Sequence, residues 1–242
     1  MPTLIPKHPF AMKCIFKDCF LVNFAIKPDV LQTALPPSLQ ADVYQGDSFL
    51  SIVIANLQEM RPAFVPHFLG INYYQIVYRA VVRHNENRGV HFLRGDANNP
   101  LMCMMGNLFT YFKFHYSAIQ MEKTSSGFNF NLKAMAADIH STFRLRQGLQ
   151  KMPPASKFKT LEEAKSFLVE LYDAYAFDKS KQKISKVHIQ RENWELTLAE
   201  DSRQEYEWMQ QGPLFCRKNT RLDSIFHVQN LPYCWHPLEW VD

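Results

Sequence analysis

Residues 13–39, KCIFKDCFLVNFAIKPDVLQTALPPSL, hold the pattern on which the fold turns. The first fourteen read as an apolar strand with polar interruptions, and PDVLQTALPPSL reads as a short helix halted by Pro36 and Pro37. A strand-helix-strand opening follows. Outward from it, SFLSIVIANL alternates apolar and small polar residues, and YYQIVYRAVVR and VHFLR are rich in β-branched and aromatic side chains, giving three more strands. Further on, SAIQMEK and GFNFNLKAM flank a TSSG turn as a hairpin, HSTFRLR reads as a strand, and strand-like segments return around WELTLAE, SIFHVQ and LEWV. Two helices interrupt this series. One opens at Pro100, with Leu101, Met104, Met105, Leu108 and Phe109 at three- and four-residue intervals. The other spans 160–177, where Thr160 and Glu163 have capping-box spacing and Leu161, Ala164, Phe167, Leu168, Leu171 and Tyr175 form a stripe. Neither repeat nor composition break divides the chain, so residues 1–242 are expected to form one α+β domain built on a large, mostly antiparallel sheet or barrel.

Composition narrows the function classes. The 242 residues are 47% hydrophobic and 21% charged, with 19 Phe, 10 Tyr and 4 Trp, so a substantial core is expected. The net charge of +4 is spread along the chain. Its densest basic patch, Lys179, Lys181, Lys183 and Lys186, follows the helix predicted over 160–177, where it complements a helix end rather than nucleic acid. Cys14, Cys19, Cys103, Cys216 and Cys234 are an odd set without CxxC spacing, which points away from a disulfide framework and towards a reducing cytoplasm. No uninterrupted apolar run reaches about 18 residues, and no membrane partner is expected. His67, His84, His91 and His115 lack ligand spacing, so no metal is expected. With 8 glycines and no phosphate-binding loop, no cofactor is expected either.

Candidate chemistry concentrates in NNPLMCMMGNLFTYFKFHY, residues 98–116. After the helix the pattern becomes period two, placing Tyr111, Lys113 and His115 on one side of a strand and Phe112, Phe114 and Tyr116 on the other. Lys113 then either stands in water or lies buried as a neutral amine able to attack a carbonyl. Periodicity alone favours the lysine in water. His188, followed by Trp194, reads as a hydrogen-bonded structural histidine because no acid or nucleophile signature lies beside it.

FLVNFAIKPDVLQTALPPSLQADVYQG resembles the opening of the YqjF-like family of unknown function, with Leu35, Pro36, Pro37, Leu39, Asp42 and Gly46 at the shared positions. YYQIVYRAVV with Arg79, NLFTYFKF, SFLVELYDAY and VHIQRENWELTLAE resemble that family's successive blocks, in order. The family is similar in turn to acetoacetate decarboxylase, and the resemblance implies a cone-shaped β-barrel with surrounding helices and an internal ligand pocket. It also implies that Lys113, after the turn at Asn98, Asn99 and Pro100, takes the place of that enzyme's Schiff-base lysine, facing the interior with a lowered pKa. Tyr111 and His115 would then move protons, and Gln75, Arg79 and Lys17 would contact the ligand. Departures accompany the match: Phe114 stands in place of a second lysine, Gly106 and Asn107 replace an Arg-Glu pair, and Gln75 replaces a pocket acid. The expectation is a small-molecule-binding barrel for a carbonyl-containing or apolar ligand, with a Schiff-base lyase as the alternative. A homo-oligomer is compatible with either.

Overall fold

The computed structural model describes residues 7–133, 138–145, 151–191, 195–201, 205–206 and 218–241. Seven strands close into a barrel: β1 (Met12–Ile26), β3 (Ser48–Pro62), β4 (Ile71–His84), β5 (Asn87–Ala97), β10 (Asp173–Asp178), β11 (Lys183–Arg191) and β14 (Thr220–Val241). They pair in that order, and β14 returns to β1 from Thr220↔Ile26 to Trp235↔Met12. Every seam is antiparallel except the parallel join of β5 and β10. Closure leaves no free edge in the barrel wall. Gly89 sits at the parallel seam, where an added Cβ would lie 2.4 Å from the Asp173 carbonyl oxygen.

β14 is long enough to serve two sheets. Its first half also pairs with β12 (Thr197–Asp201), which leads to β9 (Asp138–Leu145), β8 (Gly127–Lys133) and β7 (Ala118–Thr124). Short pieces complete the set: β2 (Gln40–Ala41) on β4, β6 (Phe114–Tyr116) on β5, and β13 (Glu205–Tyr206) on β9. The sheet from β7 to β12 buries the outer face of β1. There Phe20 stacks on Phe143 at 4.4 Å and on His227 at 4.5 Å, and meets Phe128 edge-on at 5.1 Å. Beside this cluster Asp18 accepts from His227 Nε2 and Gln229 Nε2. Burial would raise the Asp18 pKa, but these two hydrogen bonds hold it below the usual carboxylate range.

Among the described residues, three short α-helices accompany the strands: α1 (Pro28–Gln32), α2 (Pro100–Phe109) and α3 (Leu161–Leu168). The opening motif has a local reason at each position. Leu35 and Leu39 are buried, and Asp42 binds both Arg83 and Arg88. Gly46 takes φ +83°, a left-handed conformation that glycine adopts freely.

The helix expected over 160–177 ends at Leu168, and its second half is strand β10. Its start is as expected: Thr160 Oγ1 accepts from Glu163 N at 3.1 Å. Its end is set by tertiary contacts. Arg88 donates to the Ser166 and Phe167 carbonyls, Arg79 to Leu168, and Arg191 to Val169 and Leu171. Guanidinium groups thus take carbonyls that a longer helix would have bonded internally. The basic patch at Lys179–Lys186 consequently follows a strand rather than a helix. Lys181 lies over the Trp240 ring at 4.3 Å, and Lys186 pairs with Glu239. Thr160→Ala is expected to cost about 1 kcal/mol, read as a lower denaturation midpoint at unchanged slope.

Candidate functional site

One end of the barrel holds a cavity of about 260 Å³. Met12, Met60, Phe92 and Trp235 contribute from the wall, while Met102 and Met105 project from α2. α2 begins where Asn99 Oδ1 accepts from Met102 N at 3.1 Å, with Pro100 in its first turn. A smaller space of about 40 Å³ lies deeper, sharing Gln75, Phe92 and Trp235 with the first and reaching Cys19, Arg79 and Tyr233.

Polar groups in this apolar chamber are few. Tyr73, Gln75, Val77 and Arg79 alternate along β4 and therefore share its inner face, leading from the outer cavity to the deeper one. The Tyr73 hydroxyl donates to Gln75 Oε1 at 2.9 Å, which occupies the amide oxygen of a residue lining both spaces and leaves its nitrogen to donate. Arg79 is buried and donates to the Leu168 carbonyl at 2.9 Å, while its Nε has no acceptor among the described residues. Desolvation pulls its pKa down to about 10, with Tyr233 opposing and Arg191 adding to the shift, so it remains a cation at neutral pH. At the outer rim, His8 donates its backbone N–H to the Phe109 carbonyl. Burial lowers its imidazole pKa to about 4, so the ring is neutral at physiological pH.

The residues expected at the site separate into two groups. Gln75 and Arg79 line the interior. Lys113, His115 and Lys17 are exposed and outside the cavity linings. Tyr111 is half-buried, stacks edge-on with Trp240 and bonds Asp178. For Lys113 the interior expectation is corrected, and the reason is local. The regular strand begins only at Phe114, but Phe112 and Phe114 turn inward to line the cavity and carry Lys113 to the opposite side. Asn107 fixes this register by bonding both backbone groups of Phe114, Oδ1 accepting from its N–H at 2.8 Å and Nδ2 donating to its carbonyl at 2.9 Å. The Phe114 ring then fits between Gly95 and Gly106, where added Cβ atoms would lie 2.8 and 2.5 Å from it. Gly106 and Asn107 thus form the seat and clamp of a cavity-wall phenylalanine. Lys17 lies at a bulge in β1 that interrupts the pairing with β3.

His188 has an acid beside it that the sequence did not reveal: its Nδ1 is 3.0 Å from Asp173 Oδ1, across the β10–β11 seam and exposed. Trp194 lies outside the described residues. Sequence reasoning also missed Tyr73, legible as the same-face neighbour of Gln75, and Trp235, which has no local signal because barrel closure brings it in.

Architecture and internal cavity together define an acetoacetate decarboxylase-like fold. Acetoacetate decarboxylase from Legionella pneumophila subsp. pneumophila superposes with a TM-score of 0.65 at 12% identity, covering 100% of this chain and 92% of that one. The enduracididine biosynthesis enzyme MppR does so with a TM-score of 0.63 at 11% identity, covering 99% and 90%. Within that fold the chain belongs to the DUF2071 family, described as "Uncharacterized conserved protein", whose profile matches residues 15–238. The uncharacterized protein YqjF of Bacillus subtilis (strain 168) is 20% identical over 189 residues, 76% of this chain and 75% of that protein. No helix among the described residues is long and apolar enough to cross a membrane.

Proposed function

We propose that this protein binds a small, largely apolar carbonyl compound inside the barrel. The observation that carries this reading is the Gln75 amide on the lining of a largely apolar cavity, its oxygen occupied by Tyr73 and its nitrogen left to donate. A ligand carbonyl accepting from Gln75 Nε2 satisfies that donor, and Arg79, further in on the same strand face, offers a second one to a longer or more polar ligand. MppR, a structural relative, has been solved in complex with pyruvate, which supports a carbonyl ligand in this fold. The described cysteines are free thiols, three buried and one half-buried, which supports the cytoplasm as the compartment.

The test is displacement of an environment-sensitive fluorophore by medium-chain methyl ketones and by alkanes of matched length. The ketone is expected to compete about tenfold better, as one hydrogen bond allows, and Gln75→Leu to erase the difference. Absence of displacement by either, or undiminished ketone preference in Gln75→Leu, overturns the reading.

A Schiff-base lyase would need an amine at the cavity, and among the described residues no lysine lines it. Incubation with pyruvate followed by borohydride is therefore expected to leave Lys113 no more labelled than other surface lysines. Lys113→Met should likewise leave the melting temperature unchanged. Selective labelling of Lys113 would reverse the ranking of the two readings.

A further inference from the structure

The cavity mouth is framed by three segments, 7–13, 60–70 and 98–116. Their exposed residues are unusual for a protein surface. Phe64 and Phe68 are each 74% exposed on the loop joining β3 to β4, and Leu69 beside them is also exposed. On α2, Met104 and Leu108 stand in solvent, and Leu101, also exposed, lines the cavity at its mouth. Phe64 meets Phe10 edge-on at 5.5 Å, and Phe10 lines the cavity, so this apolar rim is continuous with the interior. Charge on the same segments is one-sided: they carry Lys7, Lys13, Arg61 and Lys113 and no Asp or Glu, in a chain with 27 basic and 23 acidic residues. Glu59 and Asp178 stand at the margin, the first paired with Arg61 and the second bonded by Tyr111 and Ser180.

We propose that the mouth docks on an anionic lipid surface, inserting Phe64, Phe68 and Leu69 and setting the lysines against lipid phosphates, so that the cavity exchanges its ligand with the bilayer. Exposed apolar side chains and an excess of basic residues on the same segments match the interface of such a membrane, where burial of rings and attraction to charged headgroups act together. No spanning segment is required. The exchange half of the proposal rests on the binding reading above, and the docking half stands without it.

The full chain is floated with vesicles of phosphatidylcholine alone or mixed with phosphatidylglycerol, without added ligand, at low and high salt. Binding is expected on the mixed vesicles only and should weaken as salt rises. The double variant Phe64→Ser/Phe68→Ser should reduce it at least about tenfold while keeping the wild-type melting temperature, because both rings are exposed in the free protein. Lys113→Glu should weaken it as well. Failure to float at low salt, equal binding to neutral vesicles, or binding indifferent to the double variant overturns the proposal. So does light scattering that finds a wild-type dimer dissociated by the double variant, which would make a second copy of this chain the occupant of the patch. The fluorophore assay is run without vesicles, so loss of docking and loss of ligand binding are read separately.

Discussion

Replacing Phe20 with alanine is expected to destabilise the protein by about 3–5 kcal/mol, among the largest effects of any single truncation in this chain. Phe20 lies on the outer face of β1 and is fully buried, because the β7–β12 sheet folds back over that face. Its neighbours are the rings of Phe128, Phe143 and His227. Rigid rings on several sides cannot collapse into the hole, so the cavity penalty adds to the lost transfer energy. Water admitted at this point would also reach the Asp18–His227 pair, two positions along the same strand face. The melting temperature should fall by on the order of 10 °C, while Phe20→Leu, which keeps most of the volume, should cost less than half as much. A loss for Phe20→Ala below about 1 kcal/mol would mean that the second sheet does not pack on β1 as described.

Gly106→Val is expected to abolish ligand binding and to cost about 1–3 kcal/mol through overpacking. An added Cβ at Gly106 would lie 2.5 Å from the Phe114 ring, which Gly95 confines on its other side. The ring must therefore leave its slot. Asn107 meanwhile holds the Phe114 backbone in place, so the displaced ring moves at the expense of the cavity that Phe112 and Phe114 line. Phe114→Ala, made alone, should enlarge the cavity and cost stability by truncation. Combined with Gly106→Val, it should recover part of the lost stability, giving a coupling of about 1 kcal/mol or more in the double-mutant cycle. Strict additivity, or unchanged fluorophore binding in Gly106→Val, would show that the two residues do not share the slot.

Local patterns in the sequence were enough to mark most elements. Alternation and β-branched or aromatic content located β1, β3, β4, β5 and the β7–β8 hairpin, and Pro100 and the capping box at Thr160 marked two helix starts. These signals are legible because each depends on residues within a few positions of one another. Gln75 and Arg79 were reached through the family resemblance, and the structure places both on the inner face of β4, two strand repeats apart. The opening motif also pointed to the family and, through it, to the barrel.

Tertiary structure decided what depended on distant partners. Residues 161–177 carry a helical stripe throughout, yet arginines from β4, β5 and β11 take the carbonyls at 166–171 and the remainder pairs as β10. Alternation around Lys113 could say that it opposes Phe112 and Phe114 but not which side faces inward. That choice was made by Gly95 on β5 and by Gly106 and Asn107 on α2, which admit the Phe114 ring and hold its backbone. A period-two pattern specifies two faces and leaves their destination to whatever packs against them, and here two glycines and an asparagine turned the aromatic face to the cavity and the lysine to water.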